Sequence, residues 1–195
     1  MNFINTAAAV AIGAAFSAAA FAQTTQSITQ RDVNQQQRIE QGLKSGQLST
    51  GEAARLERGE ARVNRMEANA LKDGTLTAAE KARITRAQNA ESRAIERNKT
   101  NATTGNPNSA SSLRMQADVQ RNVNQESRIA QGVRSGALTN REAGRLEGGQ
   151  ARVDRKEARA GADGTITAGE QRRIQGAENR QSAKIYSQKH DAQKK

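Results

Sequence analysis

The strongest constraint on this chain is that it contains the same stretch twice. Residues 31–97 align without a gap on residues 121–187 at an offset of 90, with 36 identities in 67 positions, and chance similarity in a biased composition does not hold register that long. Within each copy a shorter signature recurs: a glycine, an aliphatic residue two positions on, then Ser or Thr followed three residues later by Glu. Its four instances end in Ser49-x-x-Glu52, Thr77-x-x-Glu80, Thr139-x-x-Glu142 and Thr167-x-x-Glu170. Each matches the capping box, in which the hydroxyl accepts from the amide three residues on and the glutamate reaches back to the amide of the cap itself. Gly46, Gly74, Gly136 and Gly164 sit where the preceding helix has to stop.

Four helix starts and four stops in two copies predict an all-α chain: two tandem copies of a three-helix unit joined by a flexible linker. The expected helices span 30–44, 50–71 and 78–97 in the first copy, and 120–134, 140–161 and 168–187 in the second. Apolar residues form narrow seams. Leu56, Val63 and Ala70 recur every seven on the middle helix and return as Leu146, Val153 and Ala160, a spacing closer to a coiled coil than to a broad globular face. With so thin an apolar set, the copies are expected to pack together, to self-associate or to order on a partner. Residues 98–112 are polar, carry the only proline, Pro107, and show no periodicity, as a linker would.

Residues 1–22 hold no charged side chain and run through an Ala-rich apolar stretch, which reads as a cleaved signal peptide and hence a periplasmic or secreted protein. The expected organisation is therefore signal peptide 1–22, helical repeat 23–97, linker 98–117, helical repeat 118–187 and basic tail 188–195. No cysteine is present, so disulfides and thiolate metal sites are excluded. All three phenylalanines lie in the leader, and the 31 Lys+Arg against 20 Asp+Glu give the rest a net +11. Such a balance favours anionic partners.

The residue types suggest three kinds of site. Asp73, Thr77 and Glu80, with Asp163, Thr167 and Glu170, look like the second half of a calcium-binding EF-hand loop. The first-half ligand positions, however, fall on Asn69 and Leu71, or on Arg159 and Gly161, where oxygen donors are needed. Capping is the simpler reading. Arg55, Arg58, Arg62 and Arg65, with Arg145, Arg152 and Arg155, make a stripe that can track a polyanion, although Glu52, Glu57, Glu60 and Glu67 are interleaved at spacings that allow intrahelical ion pairs. Dedicated nucleic-acid binding wants aromatic platforms, and Tyr186 is the single aromatic residue left after the leader. One histidine, His190, in a polar tail, and no glycine-rich phosphate loop, argue against an enzyme, and no cofactor is implied.

The Arg-Ile-x-x-Gly-x-x-x-Gly-x-Leu-Ser/Thr-x-x-Glu unit resembles that of small exported proteins of Gram-negative bacteria, a likeness that implies export and no particular activity. More distantly, Leu-Thr-x-x-Glu followed by a basic helix resembles the Leu-Thr-x-x-Gln motif of Spy-type periplasmic chaperones, with Glu in place of Gln in every unit. Together these imply a non-enzymatic, chaperone-like or stress-protective protein that binds acidic or partly unfolded partners, or an anionic envelope surface. The alternative is a protein responsive to divalent cations, calcium above all.

Overall fold

A computed structural model describes residues 24–191, and within them the chain forms six α-helices and no strand. They are α1 (Thr25–Ser45), α2 (Thr50–Ala70), α3 (Ala78–Thr100), α4 (Ala110–Ser135), α5 (Asn140–Ala160) and α6 (Ala168–Lys189). The expected leader, and the last four residues of the tail, lie outside the described residues. All four tetrads form complete capping boxes, at Ser49, Thr77, Thr139 and Thr167. Each cap is worth about 1 kcal/mol. Gly46 and Gly136 close α1 and α4 at φ 76°, a left-handed conformation that costs a side-chain-bearing residue roughly 1–2 kcal/mol.

α1 and α4 begin earlier than the sequence suggests. Thr24 caps α1 by accepting from the amide of Ser27, and Ser109 caps α4 by accepting from that of Ser112. Helix therefore replaces linker from residue 110 onward, and burial of Met115 and Val119 holds a stretch whose polar, non-periodic sequence does not announce a helix. The remaining connection, 101–109, lies along the α1–α2 turn: the Gly105 amide donates to the Gly46 carbonyl at 2.8 Å, and Asn101 Nδ2 donates to Glu52 Oε1 at 2.8 Å.

The most extensive packing joins α2 to α5 and α1 to α4, pairs of helices that are counterparts at the offset of 90. They run antiparallel, because the start of α2 (Ala53, Leu56) and the end of α5 (Ala160) share one apolar cluster, as do the end of α1 (Ile39, Leu43) and the start of α4 (Met115, Val119). α3 and α6 flank this four-helix centre, α3 against α1 and α2, α6 against α4 and α5. A second apolar cluster closes the other end with Leu71, Ile129, Val133, Leu138, Leu146 and Ile185, beside a smaller one of Ile28, Ala70 and Ile84. Apolar residues thus seal both ends of the bundle, and the layer between them is polar.

Candidate metal centre

That middle layer holds the carboxylates. Besides the capping glutamates Glu52 and Glu142, ten carboxyl side chains are at most 1% exposed. Asp32, Glu57, Glu60 and Glu67 come from α1 and α2. Asp118, Glu126, Glu147, Asp154, Glu157 and Glu178 come from α4, α5 and α6. Among the described residues no Lys or Arg is buried, and only Glu178 has a cationic partner in this layer, Arg121 Nε at 2.7 Å. Isolated buried carboxylates are costly, so this charge has to be balanced by protons or by cations.

Helical geometry explains how a basic chain comes to hold an acidic interior. On α2, Glu57, Glu60, Asn64 and Glu67 follow steps of three and four residues and face inward. Arg55, Arg58, Arg62 and Arg65 follow the same steps on the opposite side and are exposed. Arg145 and Arg152 on α5 are also exposed and Arg155 is half-buried. The intrahelical Glu–Arg pairs expected of α2 are therefore absent: none of these seven arginines lies within ion-pair distance of a carboxylate. In all, 14 of the 20 Asp+Glu are buried, and the exterior is basic.

Two groups of carboxylates converge in the interior. Single oxygens of Asp32, Glu67 and Glu147 all lie within 4.8 Å of one another, and so do those of Glu57, Asp154 and Glu157. Gln88 Nε2 donates to Asp32 Oδ1 at 2.8 Å and Glu67 Oε1 at 3.1 Å, and Asn122 Nδ2 donates to Glu157 Oε2 at 2.7 Å. Between the groups, Asn64 Nδ2 donates to Asp154 Oδ2 at 3.0 Å and Glu126 Oε1 at 3.3 Å. Asn64 and Asp154 are counterparts, so here the two copies touch at equivalent positions. The protein supplies too few donors for the oxygens it gathers: neither oxygen of Glu147, Oδ2 of Asp32, Oε2 of Glu67, nor the amide oxygens of Asn64 and Asn122 meets a protein donor.

The protonation preferences follow from this crowding. Burial pushes Asp32 and Glu57 up to about 7, against the pull of hydrogen bonds from Gln88 and Gln36 respectively. Burial, reinforced by the charges of neighbouring carboxylates, holds Glu60, Glu67, Glu147 and Glu157 well above the usual range. Glu178 rises to about 8 through burial and the charge of Asp118, and Arg121 pulls it back down. At neutral pH the layer holds protons unless a cation displaces them.

The copies differ in this layer in two ways: Asp118 has no acidic counterpart, its equivalent being Ile28, and six further positions trade acid for amide. Asp32 and Asn64 become Asn122 and Asp154, Gln36 and Glu60 become Glu126 and Gln150, and Gln88 and Glu91 become Glu178 and Gln181. At these six positions each change exchanges an acid for an amide, so each copy keeps three acids and three amides there. Glu57 and Glu67 are unchanged as Glu147 and Glu157. Room for the layer is made by glycine: a Cβ on Gly59 would overlap the Glu91 carboxylate, and one on Gly149 the Gln181 side-chain amide.

The loop residues that resemble half an EF-hand lie elsewhere. Asp73 Oδ1 accepts from both the amide and the hydroxyl of Thr75 at 2.9 Å, and Glu80 Oε2 accepts from the amide and hydroxyl of Thr77 at 2.9 and 2.6 Å. Asp163 and Glu170 repeat the arrangement with Thr165 and Thr167. These bonds hold all four carboxyls below their ordinary values, and neither loop converges with other carboxylates. His190 stacks on Tyr186 at the end of α6, with Nδ1 2.7 Å from the Tyr186 carbonyl oxygen. No described helix is long and apolar enough to cross a membrane. No protein-family model matches the chain, and no curated protein or solved structure is significantly similar to it.

Proposed function

We propose that this is an exported, non-enzymatic protein that takes up hard, multivalent cations between two tandem three-helix units. The observation that carries the reading is the pair of convergent carboxylate groups, almost wholly buried and with too few protein donors. Their donors are oxygens alone, with no imidazole and no sulfur, the set that suits calcium, magnesium or manganese rather than zinc or copper. A cation there replaces the protons that burial otherwise demands, and its binding energy becomes folding energy. Export is the reading of residues 1–22 in the sequence. Millimolar calcium or manganese is expected to raise the melting temperature of chelator-stripped protein, and renewed chelation to lower it. A melt indifferent to both ions sinks the reading.

A second reading rests on the segregation of charge. With most acids inside and the α2 and α5 arginines outside and unpaired, the exterior presents to an anionic partner more positive charge than the net +11 indicates, which favours binding of acidic or partly unfolded proteins. Suppression of aggregation of an acidic client at low salt, abolished at high salt, is the result expected. No effect at low salt removes this reading.

A further inference from the structure

From the charge and donor count of the two groups we infer that each holds one cation, and that the ion they fit is trivalent. The inference rests on the proposal that the interior binds cations at all. Asp32, Glu67 and Glu147 bring three carboxylates within 4.8 Å, as do Glu57, Asp154 and Glu157. A divalent ion leaves each group with one negative charge in a layer that offers a single cationic side chain, Arg121, which lies against Glu178 rather than against either group. A trivalent ion leaves each group neutral, and in a poorly solvated interior uncompensated charge is the dominant cost.

Two features besides the acids point to a ligand. Asn122, wholly buried, spends its amide nitrogen on Glu157 while its amide oxygen has no protein donor. A carboxylate oxygen can be satisfied by a proton of its own; an amide oxygen needs a donor or a cation. The second feature is the compensated exchange between copies. Asp32 gives way to Asn122 while Asn64 gives way to Asp154, so three carboxylates converge in each group although the positions that supply them differ. Packing alone requires no such bookkeeping, since aspartate and asparagine have nearly the same shape.

The test is titration of the chelator-stripped full chain near neutral pH with terbium(III) chloride and, separately, calcium chloride, by calorimetry, with native mass spectrometry for stoichiometry. Two terbium ions per chain are expected, bound tighter than calcium by about a thousandfold. That factor is what one more unit of charge facing a carboxylate at about 4 Å is worth at an effective dielectric of about 20. Asp32→Asn leaves one group with two carboxylates, and the terbium preference of one of the two sites is expected to fall at least about tenfold while the other keeps its value. Circular dichroism establishes that the variant is helical; if it is not, the wild-type stoichiometry and preference decide alone. Calcium binding as tightly as terbium, or a number of ions other than two, overturns the inference and leaves the proposed cation binding standing. Binding of neither ion means that protons alone balance the layer, and both fall together.

Discussion

In the presence of a chelator, raising the pH is expected to destabilise this protein, the reverse of ordinary acid denaturation. Burial holds Asp118 at about 7 against an ordinary 3.8, and Glu178 at about 8 against 4.5. A carboxyl whose folded value lies above its unfolded one binds its proton more tightly in the folded state. Its contribution is complete below the unfolded value and is lost as the pH rises through the folded one. At about 1.4 kcal/mol per unit, each of these two groups withdraws roughly 4 kcal/mol between about pH 4 and about pH 8, a large share of a usual total of about 5–15 kcal/mol. For a chain of this length 1 kcal/mol moves the melting temperature by roughly 2–4 °C. Over pH 5 to pH 8 the two groups together withdraw about 6 kcal/mol, so the melting temperature followed by far-UV circular dichroism in chelator should drop by at least about 12 °C, and added calcium should flatten the profile. A melting temperature that holds steady or climbs over that interval in chelator refutes the reasoning, because it means that the interior carboxyls ionise without cost.

Gly144→Ala should place a methyl group 2.7 Å from the Leu71 Cβ, which the backbone holds in place, and cost about 1–3 kcal/mol by overpacking, whereas Gly176→Ala, whose Cβ meets nothing closer than 3.6 Å, should gain up to about 1 kcal/mol; thermal melts of the two compare them directly. Thr77→Ala removes one cap and should cost about 1 kcal/mol without changing the number of ions bound, and loss of an ion in a metal titration would return the site to the loops. Replacing Arg55, Arg58, Arg62 and Arg65 together by Gln should preserve helicity by circular dichroism and weaken suppression of acidic-client aggregation in a light-scattering assay. Because apolar clusters close the layer at both ends, bound ions should leave at a rate that rises with denaturant when mixed with excess chelator; release at a rate set only by chelator concentration counts against a sealed site.

The helix starts were legible because each is written as a local chemical unit. Ser49, Thr77, Thr139 and Thr167 make their bonds with residues three positions away, so no tertiary knowledge is needed to place the starts of α2, α3, α5 and α6. The start of α4 was not, because Ser109 caps it without a reciprocal Glu and its helix is held by long-range burial of Met115 against residues of α2, α3 and α6. The acidic interior was misread for a different reason. Spacings of three and four place Glu57, Glu60 and Glu67 within reach of arginines on the same helix, which in the sequence reads as intrahelical pairing, and charged residues ordinarily face water. A signal was nonetheless present: six positions, 32, 36, 60, 64, 88 and 91, trade only acid for amide, although other buried positions such as Glu40 to Ala130 and Ile28 to Asp118 are not so restricted.

The apolar set that looked too thin for a stable unit is thus divided between the two ends of one bundle, and the polar layer between them decides when that bundle is stable. Each apolar cluster draws on both copies: Leu56 and Ile95 share one with Met115 and Ile174, and Leu71 shares the other with Ile129 and Leu146. Closing either end therefore brings α2 onto α5 and forces Glu57 and Glu67 toward Asp154, Glu157 and Glu147. Hydrophobic association and carboxylate crowding cannot be separated in this topology, since the contacts that bury the leucines also gather the acids. A cation or proton that relieves the crowding consequently strengthens the apolar packing at both ends, which makes folding of the whole chain, rather than movement of one loop, the event to which ion binding is coupled.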